Sequence, residues 1–145
     1  MSTFIAYLFV LVGGAAGALS RFGVQEVFRT FTRWPGWIAV FFVNVLGSFA
    51  IGLVVAWLQG LMALEHSQRL DPLQLYIETQ NANHGIALLA AGFCGAFTTF
   101  SSFSLDNHFL AKESRALLII NMLGSLIACL AAVAVGWSIG KAMVG

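Results

Sequence analysis

Asn44, the run Thr98, Thr99, Ser101 and Ser102, and the pair Asn121 and Ser125 are the polar side chains set deep in the apolar stretches of this chain. An amide NH2 and hydroxyls can replace part of an anion's hydration shell, whereas a cation path calls for rings of acids or carbonyls. Asn121 and Ser125 are four residues apart and so share one helix face. A single residue of this kind ordinarily bonds one helix to another, for about 0.6 to 2 kcal/mol. Because three separate stretches supply donors, a polar track for a permeating anion stands level with simple adhesion. Phe100 and Phe103 lie one helical turn apart, and a phenyl ring carries a positive edge that can meet an anion. Such a pair ordinarily packs or faces lipid; the polar run around it is what brings it forward.

The acids and imidazoles lie elsewhere. Glu26, Glu65, Asp71, Glu78, Asp106 and Glu113, with His66, His84 and His108, are expected at or beyond the ends of the apolar stretches. Proton relays and the counter-ions of cation pumps require such groups within the membrane. The serines have no base at matching depth, so nucleophilic catalysis lacks its parts and the chain does not read as an enzyme. A net charge of +1 with scattered Lys and Arg gives no nucleic-acid footprint. Cys94 and Cys129 fall in apolar stretches and read as small packing residues.

The elements that must position these residues follow from composition. Hydrophobic residues make up 59% and charged residues 9%, with a mean hydropathy of +0.89, which is the composition of an integral membrane protein. A helix needs about 20 apolar residues to cross a bilayer. The 145 residues therefore form one all-α membrane domain, 1–145, of four transmembrane helices at about 4–31, 37–61, 85–109 and 116–143. The N-terminus is apolar from Phe4 without a basic leader, so its first stretch reads as a permanent crossing. The stretch from 65 to 84 is the one long polar connection. Small residues at four-residue spacing, Gly13 with Gly17, Ser48 with Gly52, and Ala132 with Gly136 and Gly140, suit close helix packing. In the third stretch, Gly92 and Gly95 ahead of two threonines predict a helix that unwinds near mid-membrane. Unwinding frees carbonyls that are costly unless something coordinates them, and broken membrane helices hold small monovalent cations in this way. Basic residues divide five (Arg21, Arg29, Arg33, Lys112, Arg115) against two (Arg69, Lys141) across the membrane, a modest orientation bias.

Three segments in order, GGAAGALSRF (13–22), VNVLGSFAIG (43–52) and GFCGAFTTFSSFS (92–104), resemble the CrcB or Fluc family of fluoride channels. The resemblance implies an antiparallel, dual-topology homodimer with two pores. These pass fluoride out of the cell down its electrochemical gradient, as protection against toxicity. It implies a multi-pass protein of the cell membrane, the inner membrane in a Gram-negative source. On this pattern Asn44, Phe100 and Phe103 line the pore with Thr99 and Ser102, and Asn121 and Ser125 form a hydroxyl and amide track on the fourth helix. A structural sodium ion, Na+, is implied at the backbone oxygens of Gly95 and Thr98, and Arg21 is the arginine of the first motif. The implied partners are fluoride, a second copy of the chain and membrane lipid. Leu117 stands where some members carry tyrosine, Asn121 where some carry serine, and Ala96 where glycine is frequent.

Two other readings compete. A small exporter of organic cations would need a membrane-embedded acid, such as a glutamate in the first span, and none is expected there. A scaffold protein would use its small-residue stripes only for assembly and would carry no ion flux.

Overall fold

The computed structural model describes residues 2–67, 77 and 83–144. Most of the connection expected at 65–84 therefore lies outside the described residues. The described chain is helical: α1 Ser2–Phe31, α2 Gly36–Ser67, α3 Ile86–Cys94, α4 Gly95–Phe97, α5 Phe100–Glu113 and α6 Arg115–Ala142. Four segments are long and apolar enough to cross a membrane: Phe4–Phe31, Gly36–Ala63, Asn83–Glu113 and Arg115–Ala142. The third extends past its expected end at 109 because Lys112 and Glu113 continue α5 to Ser114.

The junctions have local causes. Pro35 cannot continue α1, which closes where the Thr32 amide and hydroxyl both donate to the Phe28 carbonyl, at 3.0 and 2.7 Å. The Pro35 carbonyl then accepts from Ile38 N–H at 3.0 Å and starts α2. Across this turn the rings of Phe28, Trp34 and Phe42 cluster with centroids 5.5–6.5 Å apart, which fixes the angle between the two helices. Between α5 and α6 stands Ser114 alone, in extended conformation. Its hydroxyl accepts from Leu117 N–H at 3.4 Å, a side-chain cap on α6.

The helices pack in two principal pairs, α1 against α3 and α2 against α6. Small residues make both contacts possible. A Cβ on Gly17 would collide with the Phe93 carbonyl, and one on Gly136 with the Phe49 carbonyl. In lipid, where apolar attraction between helices is weak, this backbone approach supplies the packing energy. Large apolar side chains such as Leu11, Leu19, Phe22, Ile127 and Leu130 point outward, as lipid-facing surfaces require.

The third span is the irregular one. α3 is a nine-residue π-helical stretch, an arrangement rarely seen beyond a single turn and often found at functional sites. Its wide turns bring Gly92 against α1, where a Cβ would lie 2.9 Å from the Val10 carbonyl. The interruption expected across Gly92, Gly95 and the two threonines falls at the threonines and spares the two glycines. Both are helical, with Gly95 at φ −63°, ψ −35°. The extended residues are Thr98, at ψ 156°, and Thr99, at φ −147°, ψ 122°. No described residue has a positive φ, so glycine's backbone freedom is not used. β-branched threonine favours the extended region and suits the position.

Candidate functional site

Around Thr98 and Thr99 the backbone bonds are redirected to side chains. The Thr98 amide and hydroxyl both donate to the Cys94 carbonyl at 3.0 Å. Thr99 N–H donates to Asn44 Oδ1 at 2.8 Å, while Asn44 Nδ2 donates to the Thr99 carbonyl at 3.0 Å. The amide of Asn44 on α2 thus grips both backbone groups of one residue in the third span. Ser102 N–H donates to Thr99 Oγ1 at 3.3 Å, capping α5. The Thr99 hydroxyl also lies 3.3 Å from that of Ser101 and 3.2 Å from that of Ser102. In an unbroken helix, Thr99 N–H would bond Gly95 O and Ser102 N–H would bond Thr98 O. Both carbonyls are relieved of those partners.

This region lines an open groove of about 590 Å³. Asn44, Gly47 and Ser48 come from α2; Gly95, Thr98, Thr99, Phe100 and Phe103 from the third span; and Ser125 from α6. Gly47 is required here, since its Cβ would occupy the place of the Thr98 methyl. The rings of Phe100 and Phe103 stand 6.0 Å apart at 43° on one side of the groove. Phe100 is 79% exposed.

The expected site residues distribute as follows. Asn44, Gly95, Thr98, Thr99, Phe100, Phe103 and Ser125 meet at the groove. Ser102 bonds to Thr99 beside it. Asn121 is 2% exposed and Ser125 5%, and the Ser125 hydroxyl donates to Asn121 Oδ1 at 3.4 Å. Asn121 Nδ2 in turn donates to Asn107 Oδ1 on α5 at 2.8 Å. Asn107 therefore extends the polar chain to a second helix and was missed, because an asparagine near an apparent span end gives no signal of inward orientation. Arg21 is half-buried on α1 and is not among the groove residues. The expectation that acids and imidazoles lie at or beyond the span ends is corrected for Glu26, inside the candidate span Phe4–Phe31, and for Asp106 and His108, inside Asn83–Glu113. The Oδ2 of Asp106 is buried with no hydrogen-bond partner among the described residues.

Four apolar helices of spanning length, with Asn44, Ser48, Thr98, Thr99 and Ser125 lining an open groove among them, define a multi-pass integral membrane protein. The chain belongs to the CrcB family: the family model described as "CrcB-like protein, Camphor Resistance (CrcB)" matches residues 8–137. Among curated relatives, the "Fluoride-specific ion channel FluC" of Aeromonas salmonicida is 35% identical over 131 residues, covering 90% of this chain and 91% of the relative. The protein of that name from Gluconobacter oxydans is 32% identical, covering 92% and 83%. That from Francisella philomiragia is 33% identical, covering 90% of each. These relatives are named as ion channels and not as enzymes.

Proposed function

We propose that this chain is a fluoride-selective channel that lets fluoride leave the cell down its electrochemical gradient. The observation that carries the reading is the groove, where neutral donors from α2, the third span and α6 converge with the Phe100 and Phe103 rings. Fluoride is small and strongly hydrated, so a narrow path must offer close donors at each step to offset the water it loses. Hydroxyls of Thr99, Ser102 and Ser125 and the amides of Asn44 and Asn121 are of the right kind. Asn44 spends one of its two N–H bonds on Thr99, and the other, which has no partner among the described residues, could meet an ion. The N-terminus of α5, whose dipole end is positive, begins at Phe100 beside the same groove. The positive ring edges add an attraction that carries no fixed charge.

The groove is open along one side, and Phe100, Met122 and Leu126 give that side an exposed apolar wall. A second copy inserted in the opposite orientation would close it, giving an antiparallel, dual-topology homodimer with two pores in the cell membrane. In this reading the third span is a single crossing whose extended residues lie near mid-membrane.

The relieved carbonyls of Gly95 and Thr98 fit a sodium ion. They are hard oxygen donors, both residues line the groove, and their helical partners are bonded elsewhere. A bound Na+ would supply positive potential beside the anion path. Arg21 has a vestibular or structural role outside the groove.

Purified protein in liposomes tests the reading with a fluoride electrode. Fluoride release without chloride release is the expected result. Equal release of both ions, or no release of either, would contradict it; the latter would favour a scaffold.

A further inference from the structure

We propose that Asn44 and the Thr99 hydroxyl are positioning residues that hold the Gly95 and Thr98 carbonyls open for a cation before it arrives. The proposal rests on the sodium-binding reading above and adds to it a division of labour among this chain's own residues.

Two conformations of the segment compete. In a continuous helix the Thr99 and Ser102 amides would close onto Gly95 O and Thr98 O, leaving no lone pairs directed at a cation. In the observed conformation each amide has another acceptor, Asn44 Oδ1 at a short 2.8 Å and Thr99 Oγ1 at a longer 3.3 Å. A buried amide costs about 1–3 kcal/mol if left unbonded. Without these acceptors the amides would return to the carbonyls or stay unsatisfied. Asn44 adds a second tie by donating to the Thr99 carbonyl at 3.0 Å, so the extended peptide is gripped on both faces. The Thr98 side of the break is tied as well, through two bonds to Cys94 O. Of residues 95 to 98, Gly95 and Thr98 are the ones that line the groove, so the two diverted amides are those whose helical acceptors belong to groove-lining residues.

The energetic consequence is a matter of populations. A ligand that binds only the open form has an apparent affinity reduced by the fraction of molecules already open. If either diverting acceptor is removed, cation binding must also open the segment. The loss of one ordinary hydrogen bond then raises the sodium concentration required by about fivefold to tenfold. Asn44 accordingly acts on the cation site through Oδ1 and one N–H, and on the anion path through the other N–H of the same amide.

The test uses full-length protein in detergent, with sodium replaced stepwise by N-methylglucamine and thermal unfolding as the readout. Native protein is expected to unfold at a temperature that rises with sodium and saturates. In Thr99→Val, which keeps the branched shape but has no acceptor, the half-saturating sodium concentration should rise about fivefold to tenfold. Thr99→Ser should restore the native value, since it returns the acceptor. Asn44→Ala should weaken sodium dependence similarly, and if that variant does not fold, the Thr99 pair carries the test alone. Native half-saturation in Thr99→Val would overturn the positioning role while leaving the sodium site intact. Absence of any sodium dependence in the native protein would overturn the site itself, and the positioning role with it.

Discussion

At the scale of single residues, the chemistry divides between rings and amides. Phe100→Ile or Phe103→Ile keeps apolar bulk but removes the ring quadrupole. Each is expected to abolish fluoride efflux while the protein keeps its native elution volume in size-exclusion chromatography; undiminished flux in both would remove the rings from the pathway. The polar chain Asn107, Asn121 and Ser125 calls for a different measurement. Asn121→Ala deprives Asn107 Oδ1 and the Ser125 hydroxyl of their bonds, and Asn107→Ala strands a nearly buried amide. Each should cost about 1 kcal/mol in unfolding experiments. Since both remove the same bond, the double variant should cost clearly less than the sum. Simple additivity would mean the two asparagines do not act as a unit.

At the scale of elements, glycines separate into those under backbone contact and those facing open space. Gly17→Ala and Gly136→Ala place a methyl against the Phe93 and Phe49 carbonyls, so α1 must part from α3 and α2 from α6. A methyl added at Gly23 or Gly124 would meet nothing within 4 Å beyond its own stretch of helix, and alanine there should be neutral or stabilising by about 0.5–1 kcal/mol. Thermal unfolding of the four variants checks the contrast, which fails if all four behave alike. Much at this scale was legible in sequence. Four apolar runs and their small-residue stripes gave the helices and the surfaces by which they pack, because span length and backbone approach leave local traces. Two features left none. Which of Gly92, Gly95, Thr98 and Thr99 would be extended is the first, because the acceptor that holds Thr99 N–H comes from Asn44, 55 positions away. The π-helical course of α3 depends on how Gly92 meets α1, and neither partner announces the other. Asn44, Phe100, Phe103 and Ser125, grouped through the family resemblance, line one groove; Asn107 gave no such signal, because its partner Asn121 lies on another helix.

At the scale of the whole molecule, the proposed function would require the open groove to become a closed path. The exposed Phe100 ring and the apolar wall beside it are surfaces of the kind a second copy covers. Cross-linking in native membranes should therefore capture the chain as a dimer, and exclusively monomeric protein that still conducts would overturn the closure by a partner. Opposite insertion of the two copies is compatible with the modest basic asymmetry of the sequence. The most direct measurement of the central claim is ion-selective electrode recording of halide efflux from liposomes containing the purified chain. Rapid fluoride efflux with chloride retained is the predicted outcome; fluoride retention by well-folded, reconstituted protein, or chloride release at the same rate, would contradict it.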